Sequence, residues 1–115
     1  MMENRYNLPS ITASGTIASA TSNTEIISAP GAGKKIVICG ISMSADPGGN
    51  AQTVRMHFDN TGTNRTIGRA RLSAGGGEVF PFIEYLAGDE NENVELDTGD
   101  ASNLDWWVQY YIINS

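Results

Sequence analysis

The chain has 115 residues and a formal net charge of −6, from seven basic and thirteen acidic side chains. This length suits one domain, and the acidic surplus disfavours general binding of nucleic acid through a basic surface. No apolar run approaches the roughly 18 residues of a membrane span, and residues 1–5 lead into polar residues without the apolar core of a signal peptide. The single cysteine, Cys39, excludes an intrachain disulfide, and with the single histidine, His57, it leaves too few ligands for a Cys/His zinc site. We therefore predict one domain, made in a reducing cytoplasm, that binds neither nucleic acid nor membrane.

Charge is unevenly placed along the chain. Residues 1–71 carry all seven basic side chains and four acidic ones, for a net charge of +3. Residues 72–115 carry nine acidic side chains and no lysine or arginine, for a net charge of −9. A fold that separates these halves in space has two faces of opposite sign, which would orient contacts with copies or partners. The alternative is an ordinary acidic surface that favours solubility.

The N-terminal residues differ from the rest of the chain. Residues 1–13 are mostly polar, contain Pro9 and show no sustained period. Such ends are usually mobile unless a neighbour holds them. We predict an N-terminal arm over residues 1–13 and a single β-sandwich domain over residues 14–115.

Short apolar segments follow the arm, each bounded by turn residues. Eleven isoleucines, nine threonines and thirteen glycines are typical of strands joined by turns. The predicted strands are residues 14–20, 25–29, 34–44, 52–59, 65–72, 78–83, 93–97 and 104–113. Their spacing of roughly 8–12 residues is typical of a sandwich or jelly roll. The predicted fold is therefore all-β, a jelly-roll-like antiparallel β-sandwich of about eight strands with an extended N-terminal arm.

Four local patterns add detail to these strands. Gly40, inside the strongest apolar run, predicts a bulge, and Pro81 indicates an edge strand or a strand end. Ile67, Arg69 and Arg71 share one parity of their strand, which predicts a common face. Residues 84–90 are an alternative helical turn that Gly88 limits.

Two glycine-containing motifs resemble catalytic or nucleotide-binding signatures but are incomplete. Residues 30–35 resemble a phosphate loop, yet Ser28 stands where the first glycine is required and Lys35 stands where a hydroxyl would hold magnesium. Residues 97–99 form the Asp-Thr-Gly tripeptide of aspartic proteases, in which two Asp side chains share a proton. Too few residues follow Gly99 for the flap and closing strands of such an enzyme. A tight turn is the preferred interpretation of both segments.

The remaining titratable residues give no complete site. Residues 89–93 match the start of an EF-hand loop, but Val94 replaces the required glycine and Asp100 replaces the last glutamate. A looser calcium site on the acidic loop 89–100 stays open. No spacing singles out a nucleophile for His57, and Cys39 is expected to be a small buried hydrophobe. We predict no enzymatic activity, no catalytic residue, no metal site and no cofactor.

The last predicted strand is strongly aromatic. Trp106 and Tyr110 share one face, and Trp107 and Tyr111 share the other. One set fills the core. The other set either is buried within the same domain or anchors an interface or stacks on a sugar.

The order of these segments resembles a known class of proteins. The resemblance rests on Ser-Gly-Thr at residues 14–16, Thr-Glu-Ile-Ile-Ser-Ala-Pro-Gly-Ala-Gly-Lys-Lys-Ile at residues 24–36, a Gly-Gly-Gly turn into Val-Phe-Pro-Phe at residues 79–82, and Asn-Val-Glu-Leu-Asp at residues 93–97 before the Tyr-rich final strand. It covers about residues 14–113. In this order the chain resembles small β-sandwich virion proteins of tailed bacteriophages, head decoration or cement proteins in particular.

The resemblance implies a structural role. It implies a protein made in the host cytoplasm and placed on the outer surface of the capsid, where it binds the major capsid protein and itself, as a homotrimer, without catalysis. The alternative is a phage tail protein or a host-surface or carbohydrate-binding β-module. The predicted interface residues are Arg5, Tyr6, Leu8, Arg69, Arg71, Trp107 and Tyr111.

Overall fold

A computed structural model describes residues 10–60 and 63–115, apart from the side chains of residues 60, 63, 64 and 80–85. Its strands are β1 (Ile11–Ile17), β2 (Thr21–Ile27), β3 (Lys34–Ala45), β4 (Gln52–Asn60), β5 (Thr63–Leu72), β6 (Gly77–Ala87), β7 (Asn93–Thr98) and β8 (Leu104–Asn114). The eight predicted strands are confirmed, and residues 84–87 continue β6 instead of forming a helical turn. No helix able to span a membrane is found in the part of the chain that the structure describes.

The strands form two antiparallel sheets of four strands each. Sheet I has the order β1-β8-β3-β6, and sheet II has the order β2-β7-β4-β5. Consecutive strands lie in opposite sheets, except for β4 and β5, which pair within sheet II, and this is the arrangement of a jelly roll. The predicted fold class is therefore confirmed, and so is the edge position that Pro81 indicates, because β6 is an outer strand of sheet I.

This topology mixes the two halves of the chain. Sheet I takes β1 and β3 from the basic half and β6 and β8 from the acidic half, and in sheet II the acidic strand β7 lies between β2 and β4. The fold thus does not divide residues 1–71 from residues 72–115. Faces of opposite sign do not arise from the two halves of the sequence.

The core lies between the sheets and depends on a bulge in β3. The register of β3 shifts between Ile38 and Gly40 against both of its neighbours, which leaves Cys39 as the extra residue. The bulge predicted at Gly40 is confirmed. Because an extra residue reverses the alternation, Ile38 before it and Ile41 and Met43 after it all face the core.

A second bulge corrects the prediction for β5. Met56 pairs with Gly68 and His57 pairs with Thr66, so Ile67 is an extra residue. Ile67 joins the buried core, whereas Arg69 and Arg71 are exposed. The prediction that these three side chains share a face was wrong, because the bulge breaks the alternation between Ile67 and the two arginines.

The sandwich begins earlier than predicted. β1 starts at Ile11, Thr12 pairs with Gln109, and Ala13 pairs with Val108 and packs against the core. Residues 11–13 therefore belong to the sheet, where β8 satisfies their backbone hydrogen bonds, and not to the predicted arm. Residues 1–9 of that arm lie outside the described residues.

Candidate functional site

The outer face of sheet II carries rows of polar side chains. Val54, Met56 and Phe58 of β4 fill the core, so the residues between them point away from it. Through cross-strand pairing, Arg55 and His57 each belong to a row of side chains that runs across the sheet. The members are Arg69, Arg55 and Asp97 in the first row, and Thr66, His57, Glu95 and Glu25 in the second.

His57 is fully buried although it lies on this outer face. Its Nε2 atom is 3.2 Å from Asp97 Oδ1, and its Nδ1 atom is 3.4 Å from the Phe58 carbonyl oxygen and 3.8 Å from Glu95 Oε1. A general base must be within reach of a substrate proton. Because both ring nitrogens face groups of the chain itself and the ring has no exposed edge, His57 is placed to hold β4 against β7.

Asp97, the first residue of the Asp-Thr-Gly tripeptide, is also engaged within its own chain. Its Oδ1 atom accepts a hydrogen bond of 2.6 Å from the Asn23 backbone N–H and lies beside His57, and its Oδ2 atom is 3.9 Å from the Arg55 guanidinium. An aspartic-protease dyad requires two such carboxyl groups to face each other and share a proton. The geometry gives Asp97 the role of a cross-strand acceptor that joins β2, β4 and β7.

The glycine-rich loop between β2 and β3 packs against the acidic loop between β6 and β7. The Gly31 N–H donates to Asn91 Oδ1 at 2.9 Å, and the Gly33 N–H donates to Glu90 Oε2 at 3.0 Å. A phosphate loop offers its backbone N–H groups to phosphate, whereas here the acidic loop takes them. Within the described residues, no three or more His, Cys, Asp or Glu side chains are grouped so as to hold a metal ion.

An ion pair lies at the end of the sandwich where the β2–β3 and β6–β7 loops meet. Glu92 is 3% exposed, and its Oε1 atom accepts hydrogen bonds from the Arg65 guanidinium and, at 2.6 Å, from the Asp89 backbone N–H. The Arg65 guanidinium carbon lies 5.2 Å from the centre of the Phe58 ring, within the range of a cation–π contact. This pair leaves no signal in the sequence, because 27 residues separate its members and only the strand order brings them together.

Two adjoining surface recesses lie beside the exposed arginines of β5. Arg69 lines a recess of about 220 Å³, and Arg71 lines a second of about 230 Å³. The recesses share Thr53 and Gly99. This end of sheet II is therefore indented, with a guanidinium beside each indentation.

The outer face of sheet I carries an exposed tryptophan. Ser14, Trp107, Ser42 and Val79 form one row across its four strands. Trp107 is 37% exposed and Val79 is 67% exposed. Large apolar groups surrounded by small polar ones are typical of protein contact surfaces.

Tyr111 and Cys39 lie deeper on the same face. With Val37 they form a small buried cluster, in which Tyr111 is 5% exposed and Cys39 is 4% exposed. Burial raises the pKa of the Cys39 thiol. The expectation that Cys39 is a buried hydrophobe is confirmed, and its thiol is poorly placed to react with external partners.

The predicted interface residues fall on two different surfaces. Arg69 and Arg71 are exposed on the outer face of sheet II, and Trp107 is exposed on the outer face of sheet I. Tyr111 shares the face of Trp107 but is mostly covered. The three others, Arg5, Tyr6 and Leu8, lie outside the described residues.

Comparisons with known proteins identify similar folds. No protein-family model matches the chain, and no curated protein matches it. The chain is similar to one in the acidic stable capsid structure of Helicobacter pylori bacteriophage KHP30, with a TM-score of 0.62, 10% identity and 92% of each chain covered. It is also similar to one from Bacillus endospore appendages, described as a family of disulfide-linked pili, with a TM-score of 0.54, 10% identity, and 92% of this chain and 85% of that chain covered. These similarities establish that the chain has the same β-sandwich fold.

Proposed function

We propose that this chain is a non-enzymatic virion protein, a decoration or cement protein on the outer surface of a bacteriophage capsid. It is made in the host cytoplasm, associates with itself as a homotrimer, and stabilises contacts between subunits of the major capsid protein. The observation that carries the proposal is the fold similarity to a chain of a bacteriophage capsid structure, which extends over 92% of both chains.

The chemistry of the polar residues supports a role without catalysis. His57 and Asp97 are the residues that an acid–base mechanism would use first, and each is engaged by groups of its own chain. The outer faces of both sheets instead offer extended surfaces with exposed arginines or an exposed tryptophan. Such surfaces suit a protein that occupies many equivalent positions on a shell, where weak contacts combine into strong attachment.

The burial of the single cysteine argues against a disulfide-linked, pilus-like assembly. The similar endospore appendage chain belongs to disulfide-linked pili. Here the one thiol is 4% exposed in the cluster with Val37 and Tyr111, so a disulfide to a neighbouring copy would require that cluster to open. Non-covalent attachment is therefore the proposed mode of assembly.

Purified virions provide the direct test. We expect mass spectrometry to find the protein at a fixed ratio to the major capsid protein, and cryo-electron microscopy to place it on the outside of the head. Heads assembled without it should bind the purified protein and then withstand a higher temperature before they open. Absence of the protein from purified virions would contradict the proposal.

Trp107 favours a second candidate, the carbohydrate- or host-surface-binding module of a tail. An exposed tryptophan beside Ser14 and Ser42 is a suitable platform for stacking on a sugar ring. The same side chain is equally suited to anchor a protein contact. The fold similarity to a capsid chain favours this protein contact over sugar binding.

Trp107→Ala distinguishes the two uses. We expect the variant to fold normally, since the side chain is 37% exposed, and to bind heads about tenfold or more weakly, because a central tryptophan is commonly worth more than about 1 kcal/mol in an interface. Neither the wild-type chain nor the Trp107→Ala variant should bind a glycan array. Val79→Ala on the same row is the matched control, with a smaller loss. Glycan binding by the wild-type chain that Trp107→Ala abolishes would establish the carbohydrate-binding function instead.

A further inference from the structure

Arg69 and Arg71 form an unbalanced positive charge on a lateral edge of the molecule. They lie two residues apart on β5, which is an outer strand of sheet II, and both are exposed. Among the side chains that the structure describes, the ion pairs of arginine involve Arg55 and Arg65, and neither Arg69 nor Arg71 has an acidic partner.

The position of Arg69 is unfavourable within a single chain. It stands directly opposite Arg55 on β4, and like charges in that arrangement destabilise a sheet. Arg55 is partly compensated by Asp97 at 3.9 Å and by a hydrogen bond of 2.8 Å from its Nε to Thr66 Oγ1. Side chains in an unfavourable position that no contact within the chain compensates are expected at functional surfaces. A role in binding a partner accounts for this pair of arginines.

The surroundings of the two arginines suit carboxylate groups. The recess beside Arg69 is lined by hydroxyl-bearing residues and by Arg55 and Asp97, which lie 3.9 Å apart and offset each other's charge, so that Arg69 is left as the uncompensated charge there. The recess beside Arg71 is bounded by Gly99 and Gln52. Guanidinium groups bind carboxylates through two parallel hydrogen bonds, and hydroxyl groups donate further ones. The net charge of −6 disfavours nucleic acid as the occupant, and the local positive charge of the two arginines favours a small cluster of protein carboxylates.

The opposite lateral edge of sheet II supplies such a surface. Glu25 on β2 is exposed and pairs across the strands with Glu95, which is only 8% exposed, so Glu25 is the carboxylate that a neighbouring copy can reach there. Glu25 Oε1 accepts a hydrogen bond of 2.9 Å from Asn93 Nδ2, and its Oε2 accepts a long one of 3.5 Å from Ser28 Oγ, which a charged guanidinium donor can replace. The basic and acidic edges are about 14 Å apart at the usual strand spacing, so they cannot neutralise each other within one chain.

We propose that the β5 edge of one copy binds the β2 edge of a second copy, with Arg69 and Arg71 facing Glu25 of the neighbouring copy. The inference rests on the proposed function, because it specifies the contact by which the decoration protein associates with itself. A contact between two different edges is heterologous, and it closes into a ring when the rotation between copies allows. Such a ring is consistent with the proposed homotrimer.

The irregular backbone of β2 indicates that side-chain charge, not backbone pairing, joins the copies. The register of β2 shifts twice against β7, and Asn23 has a positive φ of 57°. Bulges and irregular residues on an outer strand prevent another strand from continuing the sheet. The contact should therefore be sensitive to salt, because the charges are exposed to solvent.

Charge reversal with rescue tests the contact. We expect the full-length wild-type chain to form oligomers in analytical ultracentrifugation and native mass spectrometry. Arg69→Glu/Arg71→Glu should weaken association about tenfold or more, as should Glu25→Arg, because each change places like charges at the contact. The variant that combines all three substitutions should recover most of the lost association. Lys34→Glu/Lys35→Glu is the matched control, since it changes the net charge equally on sheet I and should associate as the wild type does.

Several outcomes would overturn the inference. A monomeric wild-type chain, or unchanged association of the Arg69→Glu/Arg71→Glu variant, would exclude the contact. Failure of the combined variant to recover would exclude the β2 edge as the partner. Loss of binding to heads, or loss of a DNA gel shift, with oligomers intact would assign the arginines to another partner. These results are independent of virion composition: the protein can be present in virions when the charge swap fails, and absent from them when it succeeds.

Discussion

Replacement of Phe58 with alanine is expected to lower the free energy of unfolding by about 3–5 kcal/mol, because the change removes a large side chain from the core and leaves a cavity. Phe58 is almost fully buried between the sheets. Gly88 approaches its ring so closely that a Cβ atom there would lie 2.8 Å from the ring, and Arg65 lies over the ring. Because domains of this size have only about 5–15 kcal/mol of stability, the loss is a large share of the total and should lower the urea midpoint clearly.

Urea denaturation followed by circular dichroism measures this loss. Val79→Ala is the control, since its exposed side chain predicts a change of less than about 0.5 kcal/mol. A loss below about 1 kcal/mol for Phe58→Ala would show that the packing around residue 58 is loose and that the end of the sandwich is not held as described.

Removal of the Glu92 carboxylate is the second large effect. Glu92→Ala takes away the acceptor for both the Arg65 guanidinium and the Asp89 N–H, and we expect a loss of about 2–3 kcal/mol. This loss is at or below the roughly 3–5 kcal/mol of a fully buried broken pair, because Arg65 is partly exposed and water can solvate its charge. The loss should show as a lower urea midpoint with an unchanged slope.

A double-mutant cycle with Arg65→Met isolates the pair. We expect a coupling energy of about 1 kcal/mol or more between the two positions. Glu78→Ala, which removes an exposed carboxylate from the other end of the molecule, should change stability by less than about 0.5 kcal/mol. Independent effects of the two substitutions would show that the ion pair does not hold the end of the sandwich closed.

The fold was accessible from the sequence because strand alternation and turn residues are local signals. Val54, Met56 and Phe58 alternate with polar residues, and the structure places all three in the core. The bulge in β3 was predicted because Gly40 marks it. The bulge in β5 has a similar mark, since Gly68 follows Ile67, but the regular parity of residues 67, 69 and 71 obscures it.

The polar contacts were not accessible in the same way. His57 meets Asp97, and Arg65 meets Glu92, across separations of 40 and 27 residues. No spacing in the sequence indicates such pairs, because the jelly roll decides which distant strands become neighbours. The uneven charge of the two halves was also a poor guide, since β7 brings acidic residues between strands of the basic half. Arg69 and Arg71 were predicted as contact residues, but the acidic edge that complements them depends on the position of β2.

The strand order of sheet I has a consequence for synthesis. β8 lies between β1 and β3, so a nascent polypeptide that has not yet emerged past Leu104 lacks the central strand against which both must pair. Contacts between residues so far apart in sequence make folding slow, commonly milliseconds to seconds for all-β domains. We expect the domain to fold only after translation of β8, and its unpaired early strands to be prone to aggregation on the ribosome until then.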